Sequence, residues 1–337
     1  MEQSNGLISV VLPCYNEAAN VRELYHAIRA EFTALGRYRY EMIFIDNASV
    51  DGTVAILKEI AAADPDVKVI VNARNFGYLR SPHHAMLQCS GDAMIGMATD
   101  FQDPPALIPE FIRKWEQGYK AVMAVKMTED ESPVFTALRR AYYRVLNRIS
   151  DVPLVNDATG FGLYDHAVMD AVRQMKDAYP YFRGMIAEIG FEVATVPFRK
   201  PARQRGVSTS RFYTLYDLAM LGVTSHSRIP LRLATISGFC MAAAALFLAF
   251  GYLAAKLLFW NSFPIGMAPI LISLFFFSSV QLFFIGVLGE YIGTIYTQVL
   301  GRPLVIEKER VNFPNPAEFS PASPINGETR PPARTAA

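Results

Sequence analysis

Two uncharged runs near the carboxyl end limit this chain more than anything else in it. Residues 233–255 carry no charge over 23 positions, and residues 257–289 carry none over a further 33. Each is long enough to cross a bilayer as a helix. Asn261, Pro264, Gly266 and Pro269 between them mark a tight connection, so the pair reads as a helical hairpin with spans at about 233–256 and 267–290. Arg228 and Arg232 precede the first run and Arg302, Lys308 and Arg310 follow the second, whereas only Lys256 sits by the turn. That asymmetry predicts a multi-pass membrane protein with everything outside the hairpin, both termini included, in the cytoplasm. Nothing else in 337 residues could cover two core helices of that size. Hydrophobic residues reach 52% and charged ones only 19%, the apolar excess collecting after Leu231. A net charge of +1 gives no argument for nucleic acid as a partner. Cys14, Cys89 and Cys240 are too few and too scattered for a disulfide framework or a zinc site.

The amino-terminal part has a different rhythm. Apolar runs at 7–12, 42–45, 67–71 and 93–97 read as short buried strands, and helical spacing follows each of the first two. Val21, Leu24, Ile28 and Phe32 make one helix, which Asn20 can cap, 54–63 a second, and 82–89 a third after the strand at 67–71. Residues 7–12 are too short for an export signal, lack a preceding basic residue and run into Pro13. Strand–helix alternation predicts an α/β fold, a doubly wound, mainly parallel sheet. Polar clusters follow three strands: Tyr15 to Glu17, Asp46 to Asp51 and Asp100 to Asp103. In such a sheet these clusters share the carboxyl edge, where ligands bind. A nucleotide suits that edge, with Arg74 near for charge. No Gly-rich dinucleotide fingerprint or P-loop is present. Asp100, Gln102 and Asp103 before Pro104 and Pro105 offer hard oxygen ligands for Mg²⁺ or Mn²⁺. An Asp-Pro turn with solvated acids fits the same residues.

Further on, 107–115 reads as a helix, 121–125 as a strand, 135–149 as a basic amphipathic helix, a helix starts near Ala167, and 193–196 is a strand. Residues 199–211 then carry Arg199, Lys200, Arg203, Arg205 and Arg211 around Gly206 and Ser208, with no acid among them. Arginine and exposed backbone amides suit phosphate; a basic loop held near anionic lipid by charge alone is the plainer reading. Four divisions follow: a soluble domain at 1–211, interfacial amphipathic helices at 212–230, the two spans within 231–298, and a tail at 299–337 disordered from about 313. These pieces suit transfer of a sugar from a soluble nucleotide donor to a lipid phosphate, an acceptor that is already a charged nucleophile. A membrane-anchored, nucleotide-sugar-binding regulator without turnover shares most of them.

Val11 to Glu17, Ile45 to Thr53, Arg74-Asn75-Phe76-Gly77 and Asp100-Phe101-Gln102-Asp103-Pro104-Pro105 together resemble the family 2 glycosyltransferases of GT-A fold. Within them the chain is similar to the polyprenyl-phosphate type, dolichyl-phosphate mannose synthases and, by its two-helix hairpin, bactoprenol glucosyltransferases. The resemblance implies a UDP-linked donor, undecaprenyl phosphate as acceptor, inversion at the sugar carbon, the bacterial inner membrane as location, and a homo-oligomer, a tetramer among the options. It assigns Pro13, Tyr15, Glu17 and Asp46 to the nucleotide, and Asp100 and Gln102 to Mg²⁺ or Mn²⁺. Arg203, Ser208 and Arg211 go to phosphates, and Asp100, Asp157 and Arg203 to the reaction centre. Two departures stand out: the first acid of the family's Asp-x-Asp is Ala98, and the second acid of its Asp-Ala-Gly-Asp-Phe stretch is Gly160.

Overall fold

The computed structural model describes residues 6–127, 155, 157–199, 201, 229–258 and 267–314. The basic helix expected at 135–149, the basic loop with Arg203, Ser208 and Arg211, and most of the interfacial stretch lie outside these residues. Eight strands form one sheet: β1 (Leu7–Cys14), β2 (Arg39–Asp46), β3 (Val67–Asn72), β4 (Ala93–Gly96), β5 (Ala121–Lys126), β6 (Ala158–Asp165), β7 (Val193–Phe198) and β8 (Glu307–Val311). Their order is β7-β5-β6-β4-β1-β2-β3-β8. The pairs β1–β2, β1–β4, β2–β3 and β5–β7 are parallel; β6 runs antiparallel to both its neighbours, and β8 to β3. The mainly parallel, doubly wound sheet is therefore present, with two antiparallel insertions that the alternation did not foretell.

Period two divides the strands between two cores. Val10, Leu12, Met42, Phe44, Val69 and Val71 face one layer of helices, α1 (Val21–Leu35), α2 (Thr53–Ala63) and α4 (Ile108–Glu116). Val11, Ile43, Ile45 and Ile70 face the other, α3 (Arg80–Met86), α5 (His166–Gln174) and α6 (Phe182–Ile189). Val21, Leu24, Ile28 and Phe111 are fully or almost fully buried, and each such side chain contributes roughly 1.5–3 kcal/mol. One polar knot sits inside: Glu41 accepts from Ser9, Ser90 and Lys68. Burial pushes the Glu41 pKa up, but these bonds outweigh it and hold the carboxyl below its usual range.

Several local expectations need correction. Asn20 stands at the start of α1 without capping it, because its side-chain amide turns to the Glu17 carboxylate at 2.6 Å. The strand expected at 93–97 stops at Gly96, and Pro105 opens a short 3₁₀ turn before α4. The third helix begins at Arg80 rather than Pro82 and stops at Met86. The stretch after Asp157 is a strand, and α6 lies where no element was expected.

The hairpin runs are helices α7 (Ile229–Leu258) and α8 (Met267–Val299), each longer than the spans predicted. Both are long and apolar enough to cross a membrane, and their apolar stretches are not buried by the rest of the protein. Phe239, Phe247, Phe275 and Phe283 all stand exposed on them.

Candidate active site

The carboxyl edge of β1, β2 and β4 is assembled by cross-links between loops. Pro13 lies beyond the last β1–β4 pair, Val11 with Gly96, and opposite Ile45 of β2. Its carbonyl accepts the Thr99 hydroxyl at 2.8 Å, joining β1 to the loop after β4. Asn16 is left-handed at φ 57°, donates its N–H to Ser49 Oγ at 2.8 Å and accepts the Val50 N–H on its side chain at 2.9 Å. Glu17 N–H donates to Thr53 Oγ1 at 2.9 Å, and Asp51 accepts the Ala18 N–H at 3.1 Å. The loops after β1 and β2 thus form one unit. Tyr15 projects from it, 41% exposed, while Glu17 is buried and spends one oxygen on Asn20.

Asp46 ends β2 with no exposed surface; Oδ2 accepts the Ser49 N–H at 2.9 Å, and Oδ1 is buried with no hydrogen-bond partner among the described residues. Burial raises its pKa more than the Ser49 bonds lower it, and nearby Asp51 adds to the rise. A buried carboxylate oxygen left unpaired at a ligand-binding edge is an acceptor waiting for a donor. Cys14 beside it is buried and its thiol pKa is pushed well up by burial and then by Asp46, so it is a packing group and not a nucleophile.

Asn47 is the residue that motif reading missed. Its amide donates to Asn75 Oδ1 at 2.9 Å and the Gly77 carbonyl at 3.2 Å, while its oxygen accepts from Phe76 N–H at 2.9 Å and Asn72 at 3.2 Å. One side chain therefore pins the whole loop after β3. Arg74 lies over the Phe76 ring at 4.0 Å, on the exposed side of that loop.

After β4 the chain turns sharply. Phe101 is left-handed at φ 58°, Asp100 Oδ1 accepts the Gln102 N–H at 3.1 Å, and buried Asp103 accepts the Ala98 N–H at 2.9 Å. Because β6 is antiparallel to β4, its first residues come to the same edge, and Asp157 stands immediately before it at φ 56°. Asn16, Ala48, Phe101 and Asp157 are thus four of the five left-handed non-glycine residues among those described, and all four stand at this edge. Strained backbone of this kind collects where geometry serves a ligand.

Pro13, Tyr15, Glu17, Asp46, Asp100, Gln102 and Asp157 therefore all sit on loops or strand ends along one edge of adjoining strands. No three His, Cys, Asp or Glu side chains among the described residues converge to cage an ion. One carboxylate with amide and backbone oxygens nearby still fits Mg²⁺ or Mn²⁺, which take most of their ligands from water and substrate phosphates. It does not fit zinc, which wants three or four nitrogen or sulfur ligands. His83 and His84 diverge as neighbours on a helix must: His83 is buried against Phe182, and His84 pairs with Glu307.

The family model described as glycosyl transferase family 2 matches residues 9–173. The chain is 33% identical over 308 residues to the Bacillus subtilis glycosyltransferase YkcC, covering 91% of this chain and 95% of that one. To the SfII prophage-derived bactoprenol glucosyl transferase of Shigella flexneri it is 33% identical over 306 residues, 90% of this chain and 97% of the relative. To a prophage bactoprenol glucosyl transferase homolog of Escherichia coli K12 it is 31% identical over 304 residues, 89% and 98%.

Proposed function

The chain belongs to glycosyl transferase family 2 and is a glycosyltransferase, and from that premise we propose that it moves one sugar from a UDP-linked donor to a polyprenyl phosphate at the cytoplasmic face of a membrane. The observation that carries this reading is the union, in one chain, of a strained acidic cleft with two exposed apolar helices. Relatives named as bactoprenol glucosyl transferases, matched along nine-tenths of the chain, support the lipid acceptor.

In the proposed reaction an acceptor phosphate oxygen attacks the anomeric carbon from the face opposite the nucleotide. The bond from that carbon to the β-phosphate oxygen breaks, and UDP leaves with the electron pair. The acceptor is already anionic and needs no base to activate it. Asp46 and the Tyr15 loop hold the nucleoside, with the free Asp46 Oδ1 accepting a donor from it. Asp100 and Gln102 would hold Mg²⁺ or Mn²⁺, and such an ion would supply charge stabilisation for the departing diphosphate. Asp157 stands where the sugar and acceptor meet, and Arg203, Ser208 and Arg211 bind phosphate. Ala98 in place of an acid leaves Asp100 the single carboxylate of that pair, so we expect weak metal affinity.

The test uses the purified full-length chain with undecaprenyl phosphate, Mg²⁺ or Mn²⁺ and a panel of UDP- and GDP-sugars, reading nucleotide release and lipid product together. Release should require lipid, metal and a particular donor. Asp100→Ala should lower turnover at least a hundredfold with folding intact; full activity in that variant would remove the metal assignment. Nucleotide binding without turnover on any donor would favour the regulator.

A further inference from the structure

The segment that leaves the apolar helices is fastened to one helix of the head. Leu300, Gly301 and Arg302 alone stand between Val299, the last residue of α8, and Pro303. The Arg80 guanidinium donates to the Pro303 carbonyl, and His84 Nε2 meets the Glu307 carboxylate. Arg310 donates to Gln88 Oε1 at 3.0 Å, and the Ile306 carbonyl accepts the Ala73 N–H at 2.9 Å. Arg80 and His84 are four residues apart, so they share one face of α3. The side chains of His84 and Glu307 are only 18% and 19% exposed, and a hydrogen bond so placed is stronger than one in open water.

Another side of α3 borders the catalytic edge. Pro82 and Met86, with Tyr78 and Leu79 ahead of the helix, line the same hollow as Pro13 and Ala98. Ser81 accepts from Asn72 of β3 at 2.9 Å, and Arg173 of α5 donates to the Cys89 carbonyl at 2.6 Å, so the head grips this stretch as well. A helix of seven residues is too short to hold itself, and its place depends on those fastenings. Resting on the transferase reading and on α7 and α8 as membrane spans, we propose that α3 is the joint through which the spans set the cleft, with Arg80 and His84 as positioning residues. They fix this wall of the cleft relative to a lipid acceptor held in the bilayer. A displacement of about 1 Å at such a wall can cost about a hundredfold in rate. The loops after β1 and β2 are cross-linked to each other without α3, so the joint governs turnover and not nucleotide binding.

The experiment measures kcat and the Kd for free UDP on the full-length chain in lipid nanodiscs containing undecaprenyl phosphate, with a UDP-sugar that the unchanged chain turns over. One variant carries Arg80→Ala with His84→Ala. A second keeps both side chains and inserts Gly-Ser-Gly-Ser between Gly301 and Arg302, which loosens the spans from the joint. Each should lower kcat about tenfold and leave UDP affinity as it was. Combined, they should lose no more than either alone, because both cut one connection. Arg80→Lys with His84→Gln keeps donors for Pro303 and Glu307 and should restore turnover. Full activity in the insertion variant would overturn the proposal alone, as would losses that multiply or a parallel fall in UDP affinity. A wild-type chain that turns over no donor would overturn it together with the transferase reading. Should the insertion variant fail to fold, the alanine pair and its rescue decide.

Discussion

His83 binds a proton far less well in the folded chain than in the unfolded one, because burial, and then the charge of His84, push its pKa from 6.5 to about 4. Between those values the unfolded state takes up a proton that the folded state refuses, so stability falls as pH drops through that window and levels off below it. From pH 7 to pH 5 this amounts to about 2 kcal/mol. His83→Phe keeps a ring against Phe182 and removes the proton site, so its melting temperature should fall less over that interval than that of the unchanged protein. Equal falls would refute the assignment. Glu41 works in the opposite sense and lower down: its folded pKa is depressed, so its contribution is complete above the ordinary glutamate value and is lost as pH falls through the folded one. The two windows barely overlap, and scanning pH separates them. At this scale the sequence shows which residues follow a strand, and so Pro13, Tyr15, Asp46 and Asp100 were legible. It does not show that Asn47 holds four partners or that Thr99 ties two loops, because those bonds join residues 25 to 86 positions apart.

Among the elements, β6 was hidden by the residues that make it possible. Glycine is a poor strand former, yet a β-carbon on Gly162 would lie 2.1 Å from the Val122 carbonyl oxygen across the β5–β6 pair. The strands approach so closely that only glycine fits. Gly162→Ala should therefore force them apart and cost about 3 kcal/mol or more, measurable as a lower melting temperature with loss of strand signal in circular dichroism. A neutral effect would mean that the register slips freely there. Apolar runs such as 7–12 and 67–71 announced themselves because both faces of a central strand are buried. The charged alternation of Glu307–Val311 announces nothing, since an edge strand takes its place through backbone pairing and not through apolar content.

That edge strand makes the whole molecule a closed circuit. After α8 the chain returns to pair β8 with β3, and Asn312 donates its amide to the carbonyls of Ala61 at 2.7 Å and Val67 at 2.8 Å. Lys58 pairs with Glu309 at 2.7 Å, and Gln298 in the last turn of α8 accepts the Ala178 N–H at 3.1 Å. Asn312→Ala leaves two part-buried carbonyls short of a donor and should destabilise the edge by about 1 kcal/mol. Hydrogen exchange would show it as faster amides in β3 and β8 with the rest of the sheet unchanged; uniform acceleration would mean that the tail holds the entire fold. Only residues 300–306 separate the end of α8 from β8, a reach of about 25 Å at full extension. With the helices in a bilayer, as proposed, the catalytic head is moored and not tethered on a long line. Its mouth keeps a set altitude above the lipid plane, and a substrate confined to that plane must rise to meet it.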